Sequence, residues 1–334
     1  MLWRVSILSR RRSVSSPLLE LRDVTRTYRA PGTAFGRKRL HALRGVTVTI
    51  GEGESVALVG ESGCGKTTLA RIAVRLESAE TGDVLVDGIS RRDLSRGQLR
   101  LGTTEIQLIP QDASAALDPR MTIAVSIGEP LSIHRRGSKA EREARVLDLL
   151  DEVGLDRSLA DRFPHQLSGG QRQRVVIARA LALEPKLLIA DEPVSALDVS
   201  VRAQILNLLR EIRERRSLAL LLISHDLAVV RTISERIDVM YLGRIVESGP
   251  TAAVIDQPAH PYTAALVAAF PDPDPTTRER RAAPEGEVPS PVDLPVGCAF
   301  AGRCLHVQED CRATDPHLSD HGVARRVACF HPLV

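Results

Sequence analysis

Three groups of residues in this 334-residue chain have types and spacings suited to phosphate chemistry. The first, Gly60-Glu61-Ser62-Gly63-Cys64-Gly65-Lys66-Thr67, fits the Walker A phosphate-loop pattern. It follows a short apolar run, Ser55 to Val59, and leads through Thr68 into a helical run ending near Leu76, so the strand-loop-helix context is present. In such a loop the glycines permit left-handed and crowded backbone while N–H groups wrap the phosphates. Lys66 is then expected to reach the β- and γ-phosphates, and the Thr67 hydroxyl to ligate Mg²⁺. Cys64, inside the loop, reads as a small filler or an oxidation-sensitive thiol. The second group is Asp191-Glu192, directly after the aliphatic run Leu187 to Ala190. Asp191 therefore stands at the carboxyl end of a buried strand, where a Mg²⁺-bound carboxylate is needed. The third is Leu167-Ser168-Gly169-Gly170-Gln171 ahead of a helical run to Leu183. Ser168 can cap that helix, leaving the N–H groups of Gly169, Gly170 and Gln171 to face a negative group.

These groups need a sheet and helices to position them. Leu18 to Val24 and Val46 to Ile50 alternate as half-buried strands, and Asp87-Gly88 marks a turn after Val84-Leu85-Val86. Gly32 and Gly36, with Arg37-Lys38-Arg39, read as a loop between the first two strands. Leu187 to Ala190 and Leu218 to Ile223 are continuous apolar runs, as expected of parallel strands buried on both faces, and a helix from Val201 to Arg215 links them. Between Asp112 and Arg179 the pattern is helical, with Val146, Leu149, Leu150 and Val153 at helix spacing, which predicts a separate helical subdomain over about 112–179.

Composition narrows the function classes. With 43% apolar residues the chain can bury a full core. Its net charge of +3 is carried largely by arginines spread along the sequence, so nothing concentrates enough charge to imply nucleic acid. No apolar run approaches the ~18 residues of a membrane span, and any membrane role must come through a partner. Residues 1–16, with Arg10-Arg11-Arg12 followed by Ser13-Val14-Ser15-Ser16, are expected to form a disordered basic leader, not a secretory or twin-arginine signal.

Leu-Ser-Gly-Gly-Gln at 167–171, between the phosphate loop and Asp191-Glu192, resembles the signature of ATP-binding-cassette ATPases. The resemblance implies a P-loop α/β cassette: a RecA-like core with an antiparallel β subdomain and a helical subdomain. It also implies roles for single residues. Glu192 polarises or positions the attacking water; His225, after Leu221-Leu222-Ile223-Ser224, is similar to the switch histidine; Gln111 resembles the Q-loop glutamine that approaches Mg²⁺ and water. Ser195-Ala196-Leu197-Asp198 matches the D-loop that crosses the dimer interface, and Tyr28 fits the aromatic that stacks on adenine. In the family the signature contacts the γ-phosphate of an ATP held by a second subunit, so a dimer is part of the reading.

Further runs resemble the ATPases of oligopeptide/dipeptide importers: Gln111-Asp112 with Leu117 to Thr122, Pro164-His165-Gln166, and His260 to Leu266. Ala113 and Asp118 depart from the proline and asparagine common at those places. The resemblance implies an ATP-hydrolysing subunit on the cytoplasmic face of the membrane, paired with a related, non-identical cassette. Its other partners would be two membrane permeases and, indirectly, an extracytoplasmic solute-binding protein. A soluble cassette ATPase without a permease, or an importer of nickel or another non-peptide solute, is the alternative.

The expected domains are a cassette at 17–257 and a C-terminal extension at 258–334, with a proline-rich linker near 271–295. Four of five cysteines, Cys298, Cys304, Cys311 and Cys329, lie in that extension, where the large apolar residues are chiefly Phe300, Leu305, Leu318 and Phe330. A cytoplasmic ATPase does not need disulfides, and the spacing lacks the two-residue gap of zinc knuckles. Similar cysteines in some peptide-importer ATPases bind a [4Fe-4S] cluster. Zinc, with His306, His317, His321 or His331 as further ligands, and unligated thiols are the other readings.

Overall fold

The structure is a computed structural model, and it describes residues 16–30, 38–92, 94–95, 97, 102, 104–195, 197–269 and 287–334. The expected leader up to residue 15, the loop at 31–37 and the linker over 270–286 lie outside the described residues.

Two sheets build the cassette. β1 (Leu19–Arg29) and β2 (Arg39–Ile50) form an antiparallel ribbon that β4 (Thr81–Val86) and β5 (Ile89–Ser90) extend in the order β2-β1-β4-β5. Both strands of the ribbon run well beyond the stretches that alternate in sequence. The added residues lie past register shifts at Val24/Thr25 and Arg26/Thr27, where half-exposed polar side chains break the alternation and the ladder, side-chain bonds such as Thr25–Thr81 and Thr27–Glu80, and buried Leu43 hold the strands. The second sheet contains β3 (Ser55–Val59), β6 (Ile106–Ile109), β7 (Leu187–Asp191), β8 (Ala219–Ile223), β9 (Arg236–Tyr241) and β10 (Arg244–Pro250). The neighbours β9-β3-β8-β7-β6 are all parallel, and β10 returns antiparallel on β9.

The central strands read as continuous apolar runs because each face meets a different core. Ala57 and Val59 of β3 pack with Leu220 and Leu222 of β8 on the helical side. Val56 and Leu58 join Leu221 and Ile223 beneath the antiparallel sheet. Each side of the sheet is thus covered, one by helices and one by the antiparallel sheet together with Leu69, Ala70, Ile72 and Ala73 of the helix that follows the phosphate loop.

Helix α1 (Lys66–Ala73) follows β3 and stops before the predicted Leu76, where Arg75 takes a left-handed backbone at φ 64. The helical subdomain comprises α2 (Ala113–Ala116), α3 (Ile123–Ile133), α4 (Lys139–Glu152) and α5 (Gly169–Leu181). Ser138 and Glu141 form a full capping box for α4, which buries Val146, Leu149 and Leu150. Helix α6 (Val199–Arg216) connects β7 to β8, and α7 (Leu227–Ile233) follows β8.

After β10 come α8 (Thr251–Asp256), α9 (Pro261–Ala268), α10 (Glu309–Ala313) and two short strands, β11 (Ser319–Asp320) and β12 (Arg326–Val327). β12 pairs with β10, so the extension continues the cassette sheet at its edge. The far end of the expected linker is also docked: the Pro291 carbonyl accepts from His41 N at 2.9 Å, and Lys38 pairs with Asp293 at 2.9 Å. Phe300 is buried in the main core, whereas Leu305 and Phe330 are 72% and 41% exposed. The extension therefore leans on the cassette for its apolar burial.

Candidate functional site

The phosphate loop opens onto a cleft of about 680 Å³ lined by Tyr28, Leu40, Ala42, Ser62, Gly63, Gly65, Lys66, Thr67, Thr68, Gln111, Glu192 and His225. Residues from six separate parts of the chain thus converge. Gly65 sits at the N-cap of α1 with φ 111, and a side chain there would run into the Ala42 carbonyl, so the loop requires glycine at that position. Lys66 is buried, and its Nζ donates to the Gly60 carbonyl at 2.7 Å and the Glu61 carbonyl at 2.9 Å.

Also lining the cleft, Gln111 Nε2 donates to Glu192 Oε2 at 3.1 Å, while His225 Nδ1 lies 3.2 Å from Glu192 Oε1. Three residues singled out separately in sequence therefore form one array around a single carboxylate. Glu192 also has a left-handed backbone, φ 46, a costly conformation for a non-glycine residue and one found often at functional turns.

Asp191 is 4% exposed, and its Oδ1 has no hydrogen-bond partner among the described residues. Burial raises its carboxyl above the ordinary value, opposed by a hydrogen bond from Thr67. An orphaned buried carboxylate oxygen beside a threonine hydroxyl suits a divalent cation, whose charge would reverse that upward pressure.

Tyr28 is half-buried at the cleft edge; its hydroxyl is tied to Glu77, and the Arg26 guanidinium lies 4.9 Å from its ring centroid. Gly60, Glu61 and Cys64 do not line the cleft. Cys64 is buried 3.7 Å from Lys66 Nζ, and burial pushes its thiol pKa up, which fits the small filler and not the oxidation-sensitive thiolate. The Glu61 carboxylate turns away to Arg303 of the extension, and the Glu61 N–H donates to Tyr262 Oη. Sequence reasoning missed Leu40, Ala42, Tyr262 and Arg303; only Tyr262 carried a signal, from its place in the run His260 to Leu266.

The signature adopts its expected local geometry elsewhere. Ser168 Oγ accepts from Gln171 N at 3.2 Å, and Gln171 Oε1 accepts from Ser168 N at 2.9 Å, a reciprocal cap on α5. A Cβ at Gly170 would stand 2.6 Å from Val201 Cγ1 of α6, so close helix packing demands the glycine. None of residues 168–171 lines the cleft of their own chain. The turn after Glu192 is braced by Ser195 Oγ on the Glu192 carbonyl and by Arg202 on the Leu197 carbonyl. Ala196 lies outside the described residues. Beyond the turn Asp198 is exposed, and Val199 is 81% exposed.

In the extension no disulfide is formed: all five cysteines are free. Cys298 N donates to the Cys311 carbonyl at 2.8 Å. Burial, with Cys329 and Cys311 adding to it, pushes the Cys298 thiol up to about 11. Cys304 and Cys329 are likewise raised by burial, each with Cys311 as a neighbour. Asp310, Cys311 and His331 offer ligand atoms within 4.8 Å of one another, the only such group among the described residues.

Comparison with known proteins bears on the family and the fold. The ABC transporter family model matches residues 43–195, and that of the oligopeptide/dipeptide transporter C-terminal region matches 246–311. The chain is 46% identical over 318 residues to the probable peptide ABC transporter ATP-binding protein y4tS of Sinorhizobium fredii, covering 95% of this chain and 90% of that one. It is 42% identical to the dipeptide transport ATP-binding protein DppF of Haemophilus influenzae, over 95% and 97% of the two chains. Among solved structures, the dimeric post-hydrolysis state of the ATP-binding cassette MJ0796 bound to ADP and Pi superposes with TM-score 0.62 at 34% identity. That match spans 70% of this chain and 98% of the other.

Proposed function

Because this chain belongs to the family of ABC transporter ATP-binding proteins, whose ATPase fold it carries, we propose that it energises import of di- or oligopeptides across the cytoplasmic membrane. The proposed boundaries are a cassette at 17–257, with its helical subdomain near 112–179, and an extension at 258–334. Among the described residues no helix is long and apolar enough to cross a membrane, and the subunit is taken to sit on the cytoplasmic face against two permeases fed by a solute-binding protein.

One observation carries the mechanism: the cleft holds the phosphate loop, Gln111, Glu192 and His225, but nothing of the signature. ATP is thus bound by half a site until a second cassette supplies Ser168, Gly169, Gly170 and Gln171 at the N-terminus of α5. Lys66 turns from the loop carbonyls to the β- and γ-phosphates, N–H groups of Ser62 to Thr68 wrap them, and Tyr28 stacks on adenine. Mg²⁺, held by Thr67, Asp191 and Gln111, would neutralise charge on the phosphates. Glu192, positioned by Gln111 and His225, orients water toward the γ-phosphoryl group, and the partner's helix N-terminus stabilises the charge that develops.

The four extension thiols are read as ligands of an iron–sulfur cluster with a structural or sensing role. What supports a shared ligand set is that Cys298, Cys304 and Cys329 each feel Cys311 as a charged neighbour. The function is tested by reconstituting the chain with a second cassette and permeases in vesicles. ATP hydrolysis should rise when peptide-loaded solute-binding protein is added; hydrolysis indifferent to every peptide tried, yet stimulated by another solute, would reassign the cargo.

A further inference from the structure

We propose that the C-terminal extension sets the geometry of the phosphate loop through Glu61, with Arg303 and Tyr262 as positioning residues for ATP. This rests on the assignment of the loop as the ATP site.

Glu61 is held from three sides. Its carboxylate receives Arg303 Nη1 at 3.0 Å on Oε2 and Nη2 at 3.1 Å on Oε1; its N–H donates to Tyr262 Oη at 2.9 Å; its carbonyl accepts from Lys66 Nζ at 2.9 Å. Two of the three holds come from the extension. Both are built on buried groups: the Arg303 side chain is 9% exposed, and Tyr262 is 1% exposed. Tyr262 packs 4.5 Å from the Tyr241 ring and 5.5 Å from Phe300, whose ring centroid lies 5.8 Å from the Arg303 guanidinium. The pair is a bidentate, charge-assisted one with fixed geometry. Arg303 Nε is buried with no partner among the described residues, a cost that an apolar side chain would not carry.

The third hold must be released for function. To reach phosphate, Lys66 leaves the carbonyls of Gly60 and Glu61; the Glu61 carbonyl keeps only the Cys64 N–H, at 3.3 Å within the loop itself, so Arg303 and Tyr262 become its hold from outside the loop. A loop competent for only part of the time binds more weakly in proportion to that fraction.

The hold is connected to the cysteines. Arg303 directly precedes Cys304, and its N–H donates to the Phe300 carbonyl at 2.9 Å. Ala301 N donates to the Cys298 carbonyl at 3.0 Å. The loop that presents Phe300 and Arg303 to the cassette is therefore the one bracketed by Cys298 and Cys304, so disturbing either cysteine should reach ATP through Arg303.

The test is titration of the full-length chain with Mg-ATP, together with KM and kcat in the assembled transporter. Arg303→Met and Glu61→Gln should each raise the Kd and KM about five- to tenfold while kcat stays within about twofold, the double variant should match the singles, and Arg303→Lys should fall between. Cys304→Ser should raise the Kd of the wild type and add nothing in the Arg303→Met background. Wild-type Kd in both single variants, kcat loss at constant KM, or additive effects of Cys304→Ser and Arg303→Met would overturn the inference. Lys66→Ala separates the two levels: if it binds Mg-ATP as well as wild type does, the site assignment itself fails. If it loses binding while Arg303→Met and Glu61→Gln do not, only the positioning role fails.

Discussion

The carboxylate of Glu192 is bracketed by two side chains from distant segments, with Gln111 Nε2 3.1 Å from one oxygen and His225 Nδ1 3.2 Å from the other. Both oxygens are thereby oriented before substrate arrives. Such preorganisation is what a water-positioning carboxylate needs.

Glu192→Gln keeps the shape of this array but loses the charge that organises water. Steady-state ATPase of the assembled transporter should fall by roughly 10²-fold or more while ATP binding persists, trapping a closed pair of cassettes. Wild-type turnover in this variant would remove Glu192 from the mechanism.

Gly170→Ala should act at a different step. The added Cβ meets Val201 Cγ1 at 2.6 Å, forcing the start of α5 away from α6 and displacing the face offered to the partner's ATP. A misplacement approaching 1 Å can cost about 10²-fold in rate, so kcat should drop steeply while the variant's own phosphate loop binds ATP normally. Val201→Ala in the same chain should restore much of the rate by making room. No recovery would mean that helix packing is not the cause.

His260 links stability to pH. It is 1% exposed, accepts from Tyr262 N on Nδ1 at 3.0 Å, and burial lowers its pKa from 6.5 to about 4. The folded protein thus resists a proton that the unfolded chain binds. The resulting stabilisation, ~3 kcal/mol, is fully present above pH 6.5 and is lost as pH falls from 6.5 towards 4. His260→Asn keeps an acceptor for the helix cap without a titrating ring. Urea unfolding at pH 7 and pH 4.5 should show a smaller loss for the variant than for the wild type; equal losses would dismiss His260 as a source of acid sensitivity.

The extension thiols predict a composition. Anaerobically purified protein should be brown, with about four irons per chain, and any one Cys→Ser change among the four should discharge the cluster. Colourless protein with stoichiometric zinc would point instead to ligands such as Asp310, Cys311 and His331.

Much of the cleft was legible in sequence because each part carries its own local constraint. Glycines mark the strained loop, an aliphatic run ends in Asp191-Glu192, and a serine with a glutamine three residues later announces the cap of α5. The helix of the predicted βαβ unit, Val201 to Arg215, came within two residues of the observed Val199–Arg216. What could not be read depends on contacts between remote segments. Arg303 and Glu61 are 242 residues apart, and neither has a neighbour pattern that announces the other. β9 and β10 were missed for a related reason: Asp238 and Glu247 are buried within them, and their charges mask the apolar pattern. Those charges are met by Arg236 and Arg325, a pairing visible only once the chain is folded.

If one chain holds half of each ATP site, as proposed, the ATPase rate per chain depends on protein concentration and on added second cassette, and that dependence can be measured. A verified monomer should be nearly inactive, with the rate per chain rising as pairs form and rising most with the related cassette of the same transporter. A robust rate that stays constant on dilution, in protein shown to be monomeric, would contradict it.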